Sequence, residues 1–252
     1  MIVIGMGTGR SGTKSLAAFL NAQRQACCFH ELNPYPVRFA TTPRPILNTV
    51  DEFQAILDGG DPSMLTAGLP NPVIAQAYDR LCKMRDLRLI GDIALYYLPY
   101  VERIASHNPN VGFICMRRDI EQTVRSFAAR ITGNTWPSKI LADRLSALIT
   151  GMKQKTDRNP WMEHDGSVWR VDQVWDKCYP KFQAKDRIDA IRMYCRYYYA
   201  ESEKLAGKLG GRFRFVDLND LNARSVQAGI LSFAGVEPSD HVYLDVHENQ
   251  TS

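Results

Sequence analysis

Gly5-Met6-Gly7-Thr8-Gly9-Arg10-Ser11-Gly12-Thr13-Lys14-Ser15-Leu16 is the stretch that decides the fold. An apolar run at 2–6 precedes it and reads as a buried strand, and a helical pattern at 13–22 follows. Gly7, Gly9 and Gly12 let the backbone turn tightly and approach a ligand. Backbone N–H groups in such a loop, with a helix N-terminus behind them, form an anion cradle. Arg10, Ser11 and Thr13 add side-chain donors at the same point, and Ser15 follows on the first helical turn. Lys14 either adds charge or faces solvent.

Two phosphate-binding patterns compete for this loop. A Walker A loop needs Lys-Ser directly after its last glycine, whereas here Thr13 intervenes and Lys14-Ser15 come one position late. Gly7-x-Gly9-x-x-Gly12 matches a dinucleotide fingerprint literally, and Glu31 stands where that motif expects an acid. The loop by itself therefore leaves ATP and NAD open as ligands.

Moving outward, apolar runs at 2–6, 26–30, 87–91, 111–116 and 212–216 read as buried parallel strands. Helical patterns at 13–22, 71–84, 98–106, 120–131 and 186–209 separate them. Such alternation predicts an α/β fold, a parallel sheet with helices on both faces, in one domain over 1–252. Two stretches, 33–63 and 133–179, carry little periodicity. Insertions of that length in a compact domain are usually lids or binding loops. The second holds Trp136, Trp161, Trp169 and Trp175, which pack locally or line a pocket.

A second polar motif follows the fourth strand. Arg117 and Arg118 stand at its end, and the next helix carries Arg125 and Ser126. Arginine grips phosphate with two parallel hydrogen bonds, and a serine hydroxyl adds a directed one. The two loops follow strands whose ends can lie side by side at the carboxyl edge of a doubly wound sheet, where ligands bind.

The remaining signals bound the function class. With 31 Lys and Arg against 27 Asp and Glu, the net charge of +4 fits an anionic ligand and on charge alone leaves nucleic acid open, although no nucleic-acid partner is expected. The six cysteines form no C-x-x-C pair and no zinc spacing, so they are expected as free thiols. No secretory leader or membrane span is visible, so a cytoplasmic location without a membrane anchor is expected.

Arg10-Ser11-Gly12-Thr13 with Leu16 behind it resembles the 5′-phosphosulfate loop of the sulfotransferases, [KR]-[ST]-G-T-[TS]-x-[LW]. Arg118 and Ser126 match the family's 3′-phosphate motif, with Ile120 where a proline is usual. The similarity runs in order over most of 1–236. It departs at Lys14, lacks the tryptophan of the cytosolic branch and the terminal glycine-rich adenosine loop, and is nearer the bacterial and Golgi-type branches.

The resemblance implies a P-loop-kinase-like sheet of order 2-3-1-4-5. It also implies 3′-phosphoadenosine 5′-phosphosulfate (PAPS) as sulfuryl donor, adenosine 3′,5′-bisphosphate as product, and a small-molecule or carbohydrate acceptor. No metal is required. Gly9 to Ser15 would hold the phosphosulfate, with Arg10 at the bridging and sulfuryl oxygens. Arg118 and Ser126 would hold the 3′-phosphate.

In-line transfer needs a base for the acceptor's proton. Glu31, at the end of the second strand, is the first choice and His30 the second. Asp92, read at the end of the third strand, is a third carboxylate that could orient the acceptor or an arginine. Tyrosines at 194, 197, 198 and 199 cannot share one helical face. Some are core, and one of them could reach a nucleotide. An ATP-dependent small-molecule kinase and a non-catalytic nucleotide-binding module are the alternatives.

Overall fold

The computed structural model describes residues 1–34, 37, 40–65, 72–133 and 174–246. Its centre is β1, Ile2–Gly7, every residue of which is buried. On one side it pairs in parallel with β3, Leu89–Ile93, and beyond that lies β2, Ala26–His30. On the other side it pairs with β4, Val111–Arg117, and then β5, Phe213–Asp217. The order is β2-β3-β1-β4-β5, the expected one, with all pairings parallel.

Period-two alternation sorts the strand side chains between two layers. Ile2, Ile4, Met6, Phe29 and Phe113 face a layer made by α2 (Arg44–Leu57), α3 (Pro72–Lys83), α4 (Val101–His107), α5 (Ile120–Gly133) and α6 (Arg187–Leu209). Val3, Cys28, Ile93, Ile114 and Val216 face α1 (Thr13–Asn21) and α7 (Arg224–Phe233). All six cysteines are free thiols. Among the described residues, no helix is long and apolar enough to cross a membrane.

Two local expectations are corrected. Part of the stretch 33–63 is helical, because Ile46, Val50, Phe53 and Ile56 recur at helical spacing and pack on the sheet. The prolines at its start and the polar residues between those anchors obscured the period. The third strand begins two residues later than the apolar run suggests. The N–H groups of Arg88 and Leu89 both donate to the Gln25 carbonyl, so residues 87 and 88 belong to the approach. This shift carries Asp92 inside the strand, paired with Ile4 and Phe29. Of the four tryptophans, Trp136, Trp161 and Trp169 lie outside the described residues, as does the side chain of Trp175.

The contact between β1 and β3 tolerates no side chain at Gly91, whose Cβ would stand 2.2 Å from the Val3 carbonyl oxygen. Overpacking costs about 1–3 kcal/mol. Gly91→Ala is therefore expected to lower Tm by roughly 5 °C in calorimetry. An unchanged Tm would mean that the two strands part without cost.

Candidate functional site

The loop between β1 and α1 is shaped by its own bonds. The Ser11 N–H and hydroxyl both donate to the Thr8 carbonyl, at 3.1 and 2.7 Å. This closes a turn that puts Arg10 at φ 70° and Gly12 at φ 93°. A Cβ on Gly9 would stand 2.7 Å from the Phe127 ring of α5, so the loop and that helix approach closely. Gly12 caps α1, no side chain caps its N-terminus, and the first turn holds no acid. That end is thus disposed towards an external anion, which the helix dipole favours. Ser11, Thr13 and Ser15 are buried, and Lys14 is half-buried.

The loop after β4 reaches the first one directly. The Arg10 Nε donates to Ser126 Oγ at 2.8 Å, and Arg118 Nη1 donates to the Arg10 carbonyl at 3.0 Å. Arg118 Nε also reaches Gln122 Oε1, at 3.4 Å. The candidates read from two separate motifs, Arg10, Arg118 and Ser126, therefore form one connected set. Neighbouring Arg117 belongs elsewhere, bridging to Glu203 and lying 3.4 Å over the Phe215 ring.

The opposite flank of α1 carries the other candidates. His30 Nε2 lies 3.3 Å from Thr13 Oγ1, so the end of β2 meets the start of α1. Glu31 follows at φ 56°. Among the described residues, Arg10 and Glu31 are the two non-glycine residues at positive φ. Strain of this kind costs on the order of 1 kcal/mol and gathers at functional sites.

Asp92 sits beneath this corner. It is fully buried, and its carboxylate accepts from the Leu32 N–H at 3.2 Å, from Tyr97 at 2.6 Å and from Tyr96 at 3.1 Å. With the Glu31 N–H donating to the Ile93 carbonyl, it holds the chain on both sides of Glu31. Among its described partners there is no arginine; they are one backbone N–H and two phenols.

Burial pushes the Asp92 carboxyl up from its ordinary 3.8 to about 6, against the pull of those three hydrogen bonds, and the Glu31 charge adds to the rise. A folded-state value above the unfolded one disfavours the fold at neutral pH. That penalty lifts as pH falls through about 6 and is gone below about 4. The Tm of the native protein, relative to Asp92→Asn, is therefore expected to rise as pH is lowered across that window. A constant difference would place the proton elsewhere.

Two residues went unassigned by the sequence reading. Tyr198 accepts from the Gly7 N–H at 3.1 Å, and Tyr199 accepts from the Arg118 N–H at 3.0 Å. The run of three tyrosines was the signal, but spacing alone did not separate these two from Tyr197, which is 40% exposed.

A model of the sulfotransferase family matches residues 2–179. Among solved structures, a sulfotransferase from Alicyclobacillus acidocaldarius aligns at 15% identity and a TM-score of 0.47, over 99% of this chain and 85% of that one. The sulfotransferase domain of the Synechococcus PCC 7002 olefin synthase aligns at 16% identity and a TM-score of 0.42, over 94% of this chain and 73% of that one. No curated protein matches the sequence. Since the family model spans well over half of the 252 residues, this chain belongs to the sulfotransferase family.

Proposed function

We propose that the protein moves the sulfuryl group of PAPS to an acceptor hydroxyl or amine. The observation that carries this reading is the 2.8 Å hydrogen bond between Arg10 and Ser126, which joins two phosphate-type loops into one cationic site. ATP and NAD have no 3′-phosphate on their adenosine to occupy the second loop. PAPS has, and it supplies an activated sulfuryl group at the other end.

In this reading the Gly9–Ser15 segment holds the phosphosulfate at the N-terminus of α1, and Arg118 with Ser126 holds the 3′-phosphate. Glu31, or His30 beside it, takes the acceptor's proton. The acceptor atom bonds to sulfur while the bond from sulfur to the bridging oxygen breaks. The electron pair goes to the 5′-phosphate, where Arg10 and the loop N–H groups stabilise the growing charge. The sulfated acceptor and adenosine 3′,5′-bisphosphate leave.

The acceptor pocket is assigned to the insertions at 33–63 and 133–179 of a single domain. Residues 134–173 of the second lie outside the described residues; at its described end Lys177 donates to the Ala40 carbonyl of the first at 2.7 Å. A small molecule or carbohydrate fits this assignment.

The test is a calorimetric titration with adenosine 3′,5′-bisphosphate against ADP and NAD. Selective binding of the bisphosphate is expected. Binding of ADP or NAD with the bisphosphate ignored would overturn the reading.

A further inference from the structure

Tyr198 and Tyr199 are neighbours on α6, yet each phenol ends on a different strand-end loop. The Tyr198 hydroxyl accepts from the Gly7 N–H and donates to the Leu95 carbonyl at 2.9 Å. The Tyr199 hydroxyl lies between the two phosphate loops. It accepts from the Arg118 N–H at 3.0 Å and has the Arg118 carbonyl at 3.2 Å and Thr8 Oγ1 at 3.4 Å within its reach. One oxygen thus touches both the segment that leads into the first loop and the residue that heads the second.

The base of this clamp is tied to the helix that follows the second loop. α6 is 23 residues long, and Arg192 on it grips both carboxylate oxygens of Glu121 on α5, at 2.6 and 3.0 Å. α5 carries Ser126, Ser126 accepts from Arg10, and the Arg10 carbonyl accepts from Arg118. The path from Tyr199 through Arg118, Arg10 and Ser126, and along α5 to Glu121 and Arg192, therefore closes on α6 itself. Burial pushes the Tyr199 phenol up to about 12, so it keeps its proton at neutral pH and can both accept and donate.

We propose that Tyr199 is a positioning residue that fixes the spacing of the two phosphate loops and so sets the preference for a ligand phosphorylated at both its 5′ and 3′ positions. The inference rests on the donor reading above. Without the phenol oxygen, the Arg118 backbone loses its partner and its guanidinium drifts relative to the first loop. A ligand that spans both loops loses affinity, and one that occupies the first loop alone keeps it.

The experiment is calorimetric binding of adenosine 3′,5′-bisphosphate and of adenosine 5′-monophosphate to the native protein and to Tyr199→Phe, with Tm recorded for each. The native protein is expected to prefer the bisphosphate. Tyr199→Phe is expected to weaken bisphosphate binding about tenfold and monophosphate binding less than about twofold, as the loss of a hydrogen bond felt by one ligand only. Thr8→Val removes only the longer contact and serves as a milder variant should Tyr199→Phe fold poorly. It is expected to narrow the preference in the same direction, by about twofold. Equal losses for both ligands would reduce Tyr199 to a structural residue, and an unchanged preference in both variants would overturn the proposal. A native protein with no preference for the bisphosphate would instead overturn the donor reading, and this inference with it.

Discussion

Replacing Arg118 by alanine is expected to weaken adenosine 3′,5′-bisphosphate binding by about a hundredfold, while adenosine 5′-monophosphate binding changes less than about threefold. The guanidinium is half-buried and is held by one firm bond, to the Arg10 carbonyl, and one long bond, to Gln122. It is thus placed without being saturated, and a phosphate offers it two parallel charge-assisted bonds that neither present partner can. A hundredfold loss is about 2.7 kcal/mol, within the roughly 1.5–3 kcal/mol that one hydrogen bond to a charged group contributes and so a conservative figure for a bidentate contact. The control is Arg117→Ala. Arg117 carries the same charge one residue away but faces Glu203 and Phe215, so its removal should leave both affinities nearly unchanged. Equal losses for the two ligands in Arg118→Ala would remove it from the 3′-phosphate site.

Glu31→Gln is expected to lower turnover by about 10²–10⁴-fold with bisphosphate affinity retained, the usual cost of losing a general base. Glutamine keeps the size of the side chain and leaves the φ 56° backbone in place, so the change falls on the proton acceptor. Turnover can be followed as release of adenosine 3′,5′-bisphosphate from PAPS, with water and then a panel of phenols and sugars as acceptors. His30→Gln is the companion variant, and it tests the imidazole whose Nε2 lies beside Thr13. Loss of turnover in His30→Gln but not in Glu31→Gln would move the base by one residue. Full turnover in both would place the base away from the end of β2.

The strands and the glycine-rich turn between β1 and α1 were legible because each rests on local sequence, whereas the order 2-3-1-4-5 is implied only by the family resemblance. Apolar runs of strand length announce buried parallel strands and a glycine-rich turn suggests an anion site, while Arg118 and Ser126 stand out only through their match to the family's 3′-phosphate motif. Asp92 shows what local reading misses. Its residue type stood out, but a two-residue slip in the start of β3 placed it at an edge, when it lies inside the sheet under Glu31. The pairing that decides this runs from the Arg88 and Leu89 N–H groups to Gln25, some 60 residues earlier in the chain. The tyrosine clamp failed to appear for a similar reason. Neighbouring helical residues point about 100° apart, so only the packing of α6 on the strand ends reveals that Tyr198 and Tyr199 reach separate loops.

The central place of β1 has a consequence for how the protein is made. Of the five strands of this sheet β1 is made first, and it pairs only with β3 and β4, which end at residues 93 and 117. At about 5–20 residues per second, Ile2–Gly7 waits on the order of ten seconds for its neighbours, a wholly apolar segment without a sheet to join. The loop at 7–15 can close its own Ser11–Thr8 turn early, but it gains the backing of Phe127 and the contact of Tyr198 only after that wait. Nascent chains stalled before residue 117 should therefore be protease-sensitive at Ile2–Gly7 and chaperone-dependent. Chains released after Tyr199 should protect it.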